Sequence, residues 1–358
     1  MRLLALIERA GHVCYRYRVQ AYEPWLRARG WVIEARPIPH AASGWTRLLH
    51  HAARADVVVV QRKLIAPWWL WMLRRAARRL IYDIDDAMFC RDSNSSKPSH
   101  SPRRMRRFGA MVRAADVVLA GNQFLAEQAA AFAPVERIRP APTCVDPSLY
   151  PLAGHERSGA EIRLVWIGSR STMTSLYEAH AGLAGAARQV GGLELRVVCD
   201  AAPELAGLQV AFRRWSSDAE ATEIAAADVG VSWLPDHPWS KGKCGLKVLQ
   251  YMAAGLPTVA NPMGVHRELI EHGRTGMLAA TPEQWAACIT ELAGNPELRR
   301  RMGLAAREFV EQRYSVRRWG SEYARTIAGE RRAGARHSGL PGPHFKQAGV
   351  AHTLRKAS

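Results

Sequence analysis

Short runs of valine, isoleucine and leucine, continuous rather than alternating with polar residues, recur along the whole chain with longer amphipathic stretches between them. In the first half they are Leu3–Ile7, Trp31–Ile38, Asp56–Gln61, Leu80–Asp86 and Asp116–Asn122. A strand wetted on one face alternates; a continuous run needs cover on both faces, which means a parallel sheet with helices on either side. Helical stretches fall where the crossovers are needed, among them Arg18–Gly30, stopped by Gly30, and Pro67–Arg79. The segment Arg139–Leu152 holds four prolines and reads as a linker. A second series follows: Ile162–Gly168, Leu193–Cys199, Val210–Trp215, Asp228–Leu234, Leu256–Ala260 and Gly276–Leu278, with closing helices over Pro296–Glu311 and Ser315–Thr326. The pattern is α/β, two doubly wound domains in succession.

At 358 residues the chain has room for both. The expected division is 1–150, 151–314, a final helical segment 315–330 and a disordered basic tail 331–358, rich in Gly, Pro and cations. The net charge of +18 is unevenly spread. Residues 1–150 carry 24 Lys and Arg against 12 Asp and Glu, whereas 151–330 carry 20 of each. The first domain therefore faces something anionic: nucleic acid, a membrane or a phosphorylated substrate. Six cysteines lie far apart with no C-x-x-C pair, which suits structural thiols in a reducing compartment rather than disulfides or zinc. The opening apolar run is broken early by Glu8 and Arg9, unlike a signal peptide, and no stretch approaches the roughly 20 apolar residues of a spanning helix.

The segment Lys241–Glu268 carries the densest chemistry. Gly245–Ala254 reads as a helix with Leu246, Val248, Leu249, Met252 and Ala253 on its buried face, stopped by Gly255. A helix start preceded by Lys241, Gly242 and Lys243, with Lys247 one turn in, offers N–H groups, a dipole and ammonium groups to a phosphate. The run Gly-Leu-Lys-Val-Leu-Gln-Tyr-Met-Ala-Ala-Gly-Leu-Pro-Thr-Val-Ala, followed by Gly264 and Glu268, resembles the family 4 (group 1) retaining glycosyltransferases. The resemblance implies the GT-B architecture, two doubly wound domains facing across a cleft. It further implies a nucleotide diphosphate-sugar donor held by the second domain and an acceptor held by the first.

The two glutamates of that family's signature fall here on Gly242 and Gln250. By the resemblance, Gln250 meets the ribose, and Gly242 cannot make the sugar contact of the first glutamate. A diphosphate-binding turn is implied at Gly168, Arg170, Ser171 and Thr172, with Lys243 and Lys247 adding charge. Gly168 permits close backbone approach, and the hydroxyls and Arg170 suit phosphate. Trp233 and Asp236, in the loop before the phosphate helix, are candidates for the base or sugar.

In the first domain, Asp83, Asp85 and Asp86 crowd the C-terminal end of a predicted strand, where open α/β sheets place ligands. Related transferases carry a catalytic-region His or Asp there, which assigns Asp85 and Asp86 to orienting or deprotonating the acceptor hydroxyl. His12, Arg16, Arg18 and Arg62 share that sheet edge and are the acceptor-binding candidates. The helix over 67–79 places Trp68, Trp69 and Trp71 beside Arg74, Arg75, Arg78 and Arg79, and Arg103, Arg104, Arg106 and Arg107 follow, a composition suited to an anionic membrane.

The expected function is retaining transfer of a sugar from a nucleotide diphosphate-sugar to a hydroxyl of a lipid-linked or anionic glycan. It needs no cofactor or metal, because helix N–H groups and cations meet the departing diphosphate. The expected location is the cytoplasm, at the inner face of the cell membrane. A GT-B sugar epimerase and a degenerate sugar-nucleotide binding protein are the alternatives. Nucleic acid is not an expected partner, since the chain has no recognition module and its basic surplus avoids the second domain.

Overall fold

A computed structural model describes residues 1–157 and 162–330; the expected tail over 331–358 lies outside the described residues. Two six-stranded sheets, every pairing parallel, form two lobes. The first contains β1 (Arg2–Ile7), β2 (Val32–Pro37), β3 (Val57–Gln61), β4 (Leu80–Ile84), β5 (Val117–Ala120) and β6 (Ile138–Pro140), in the order β2-β1-β3-β4-β5-β6. The second contains β7 (Arg163–Ile167), β8 (Glu194–Cys199), β9 (Gln209–Arg214), β10 (Val229–Ser232), β11 (Thr258–Ala260) and β12 (Gly276–Leu278), in the order β12-β11-β10-β7-β8-β9. Every residue of β3 and β4 is buried, as two-sided helix cover demands of a central parallel strand.

Two local features depart from the sequence reading. The Pro-rich connection contains β6, three residues pairing with β5 at the sheet edge, where Pro140 costs no ladder bond. The expected helix Arg18–Gly30 is broken into Val13–Arg18, a tight turn at Gln20–Tyr22 and Glu23–Arg27. Val19 leaves helical geometry (φ −129°, ψ −58°), and Pro24 starts the second piece, a position where its missing N–H is harmless.

The final helix, Val316–Ala328, capped by Ser315, lies on the first lobe. Its Val316, Trp319, Tyr323 and Ile327 share a core with Leu3, Val19, Tyr22 and Leu26, and the Tyr22 and Tyr323 rings stack at 4.2 Å. Arg79 ties its end by donating to the carbonyls of Thr326 and Ile327, each at 3.0 Å. A second crossing runs the same way: Trp239, in the short helix Pro238–Lys241 of the second lobe, is buried in the core of the first. At roughly 1.5–3 kcal/mol for each large side chain fully buried, these contacts make the lobe arrangement a packed interface.

Candidate active site

The segments that follow the C-terminal ends of the strands meet between the lobes. Lys241–Cys244, leading into helix Leu246–Ala253, sits directly on the turns after β4 and β5. Asn122 donates to the carbonyls of Lys241 and Lys243, each at 3.0 Å, and the Cys244 thiol donates to the Asp85 carbonyl at 3.3 Å. A side chain at Gly242 would put its Cβ 2.5 Å from the Ala87 nitrogen. No glutamate fits there: the acidic turn of the opposite lobe fills the space. Gly245, at φ +70°, turns the chain into the helix through a conformation that favours glycine.

Among the described residues no side chain caps that helix start, so its first N–H groups take no side-chain partner. Lys247 is half-buried with its Nζ 4.0 Å from the centre of the Trp166 ring and 3.5 Å from Thr172 Oγ1, and it has no carboxylate partner among the described residues. Burial, helped by Lys243, pushes its pKa down to about 7. The turn after β7 closes around the same point. At Gly168 a Cβ would fall 2.4 Å from the Trp166 ring and 2.7 Å from Thr172 Oγ1, so a glycine is required for the approach. Thr172 Oγ1 accepts from the Ser169 N–H at 3.1 Å, and the Ser171 and Ser169 hydroxyls pair at 2.9 Å. Arg170 is exposed; its backbone N–H donates to Asp200 (2.6 Å) and its guanidinium makes no ion pair among the described residues. Gly168, Arg170, Ser171, Thr172 and Lys247 are thus brought to one place.

The first lobe presents two carboxylates already matched by cations. Asp86 is gripped by Arg62 and, across the cleft, by Lys243 Nζ at 2.9 Å. Arg62 Nε lies 3.8 Å from Asp85 Oδ1, an atom with no hydrogen-bond partner among the described residues. Burial raises the Asp85 pKa, but Arg62, Arg18, the Cys14 thiol and Lys243 together outweigh it and hold the carboxyl below its ordinary range. The aspartate is ionised at neutral pH and is better suited to orienting a hydroxyl than to removing its proton. Arg62 adopts φ +48°, a left-handed conformation uncommon for a non-glycine, and its N–H donates to Asp83 O at 2.8 Å.

Several acceptor- and donor-side expectations take a different form. Arg18 is not in the cleft: it is buried, pairing through Nε with Asp83 at 3.1 Å and donating to Ala141 O, because it lies on the inward face of helix Val13–Arg18. Arg62 is committed to the acid pair rather than left free for an acceptor anion. Arg16 spans the lobes to Glu220, at 3.2 Å. His12 caps its helix by accepting from Cys14 N at 3.2 Å, and burial lowers its pKa, leaving a neutral ring. Gln250 is buried and donates to the hydroxyls of Tyr17 (3.0 Å) and Tyr150 (3.3 Å) instead of standing open to a ribose. Trp233 packs on Trp285, ring centres 5.6 Å apart, and only Asp236 of that loop pair is exposed.

Other interlobe residues carried no signal in the sequence. Asn122 and Glu220 have local bonds, to Leu125 N and Trp215 Nε1, but they and Tyr150 reach the opposite lobe only through partners a hundred or more residues away. Asn94 donates to Ser171 O at 2.6 Å and joins the loop after β4 to the turn after β7. His266, fully buried between Ser232 Oγ (3.0 Å) and Asn261 O (3.0 Å), is held neutral, with burial pushing its pKa down to about 4, and it fixes the turn after β11.

Two doubly wound parallel lobes whose strand ends face one another make a GT-B fold. Residues 161–295 match the family of glycosyl transferases, group 1. No curated protein matches the chain by sequence. Among solved structures it resembles HepE of Anabaena, in complex with UDP and glucose, at 17% identity and a TM-score of 0.68, covering 92% of this chain and all of that one. Sucrose-phosphate synthase from Thermosynechococcus elongatus aligns at 16% identity and a TM-score of 0.71, over 92% of this chain and 98% of that one. The lipopolysaccharide outer core galactosyltransferase WaaB, in its apo form, aligns at 10% identity and a TM-score of 0.59, over 92% and 99%.

Proposed function

We propose that the protein transfers a sugar, with retention, from a nucleotide diphosphate-sugar to a hydroxyl of a lipid-linked or anionic glycan. The observation that carries this reading is Lys247, half-buried over Trp166 at the start of helix Leu246–Ala253, with neither a carboxylate partner nor a helix cap beside it among the described residues. A cation held there at a cost to its own charge is stabilised by an arriving diphosphate. As the sugar bond breaks, charge grows on the outer phosphate, where Lys247, the helix N–H groups and Arg170 receive it without reorganising. Asp85, ionised across the cleft, orients the acceptor hydroxyl, and the leaving phosphate takes its proton on the same face, which is the retaining outcome. Isothermal titration with UDP tests the donor site: micromolar binding that Lys247→Met weakens supports it, and UDP binding indifferent to that change removes it.

The same reading needs no divalent metal, because Arg62 and Lys243 already neutralise Asp86. Transfer that persists in EDTA agrees with it; transfer restored only by added magnesium or manganese does not. The acceptor is proposed to arrive on a membrane. Among the described residues no helix is long and apolar enough to cross one. Helix Pro67–Ala76, however, exposes Trp68 (63%) and Trp71 (52%) stacked at 5.3 Å, with Arg75 over the Trp71 ring at 5.1 Å. It packs beside helix Pro102–Ala114, which exposes Arg103 and Arg106. This face is proposed to rest on the anionic inner leaflet of the cell membrane. Co-sedimentation with phosphatidylglycerol vesicles, lost on Trp68→Ala with Trp71→Ala, is the expected result.

A further inference from the structure

Behind the acid pair and the diphosphate turn, the cleft holds a second polar cluster that the transfer chemistry leaves unused. Glu220, in the second lobe, is buried, yet both its carboxylate oxygens are occupied. Oε1 accepts from Tyr17 Oη at 2.7 Å and from Arg16 at 3.2 Å, and Oε2 accepts from Trp215 Nε1 at 2.8 Å. Arg16 and Tyr17 belong to the first-lobe helix Val13–Arg18. The proton count fixes the direction of the rest. Tyr17 has one hydroxyl proton and gives it to the carboxylate, so its oxygen accepts from Tyr150 Oη at 3.0 Å and from Gln250 Nε2 at 3.0 Å. One carboxylate thereby joins the first lobe, the connection between lobes at Tyr150, and the helix on which Lys247 sits.

Both ends of this chain of contacts reach the reacting groups. On one side, Cys14 of the same first-lobe helix accepts at its carbonyl from Gln61 (2.7 Å) and at its sulfur from Arg62 (2.8 Å), and Arg62 grips Asp86. On the other, Gln250 lies one turn from Lys247 in helix Leu246–Ala253. We infer that Glu220 is a positioning residue, setting the register of the acceptor-side acid pair against the donor-side helix. An amide at 220 cannot replace it, since its NH2 group would face a donor from Arg16, Tyr17 or Trp215. This inference rests on the donor site proposed above.

The test is amide hydrogen exchange on the full chain, with and without saturating UDP, in the wild type, Glu220→Gln and Tyr17→Phe. In the wild type UDP slows exchange both in helix 246–253 and in the acidic turn 85–87. In Glu220→Gln protection of 246–253 is retained and protection of 85–87 is lost, with Tyr17→Phe showing a partial loss and Glu220→Asp a partial recovery. Protection of both segments in Glu220→Gln overturns the inference, as does equal loss from both, which marks a residue of general stability. If UDP protects neither segment in the wild type, the donor reading fails. The ligand-free comparison then decides on Glu220, whose replacement must speed exchange over 13–18 for the inference to stand.

Discussion

The two walls of the cleft handle charge in opposite ways. On the first lobe, Asp83 is matched by Arg18, and Asp86 by Arg62 and Lys243, with Asp85 beside them. On the second, among the described residues, Lys247 and Arg170 make no ion pair and the helix start between them is uncapped. A wall whose charges satisfy one another keeps its geometry whether or not a ligand is bound. A wall with unmatched donors is costly when empty and is relieved by an anion. In the proposed function this asymmetry has a use: the anion goes to the second lobe, and the first lobe holds a neutral hydroxyl in place.

The sharpest way to break this comparison is to remove charge from one wall and read both. Asp85→Asn is expected to lower sugar transfer by roughly 10²–10⁴-fold, the range for a positioned acid–base group, while UDP affinity is preserved. Loss of UDP binding in that variant would place Asp85 on the donor side and undo the assignment. Lys247→Met is expected to do the reverse, weakening UDP by roughly 10–100-fold, as for a lost charge-assisted hydrogen bond. It should also raise the melting temperature of the ligand-free protein, because an unmatched, half-buried cation has gone. Gly242→Glu, which puts back the residue type of the family signature, is expected to destabilise the fold by about 1–3 kcal/mol through overpacking against Ala87. A melting temperature equal to the wild type would show that the lobes part freely there.

The same contrast explains what the sequence disclosed. Both sheets were legible because central parallel strands leave continuous apolar runs, as in Val57–Gln61 and Val229–Ser232. The turn and helix start of the second-lobe wall were legible because they are local: Gly168 to Thr172 form one turn, and Gly245 to Lys247 one helix start. The short edge strand Ile138–Pro140 was hidden among prolines, and the break after Arg18 was visible only in Pro24. The first-lobe wall was half legible. The clustering of aspartates showed, but which arginine serves which aspartate is decided by helix facing, and Arg18 turned inward where Arg16 turned across the cleft. The Glu220 cluster was illegible, since Tyr17, Tyr150, Glu220 and Gln250 meet only in three dimensions.

The smallest effect sharpens the comparison through pH. Lys247 has its pKa pushed down to about 7, whereas an ordinary lysine in the unfolded chain titrates at 10.5. Between those values the unfolded chain holds a proton that the folded, ligand-free protein has released, so this residue's contribution to stability rises with pH across the window and its full penalty is present below 7. A bound diphosphate favours the charged form and reverses the preference. UDP affinity should therefore fall as pH climbs from 7 towards 9, by no more than about tenfold per unit for a single linked proton. Melting temperatures at pH 6.5, 7.5 and 8.5, with and without UDP, read both slopes at once. The UDP-induced rise shrinks with pH in the wild type, and in Lys247→Met this part of the pH dependence disappears. A rise that holds constant across the range in the wild type would mean that Lys247 carries no charge to the ligand, and the donor wall would need another cation to account for its empty state.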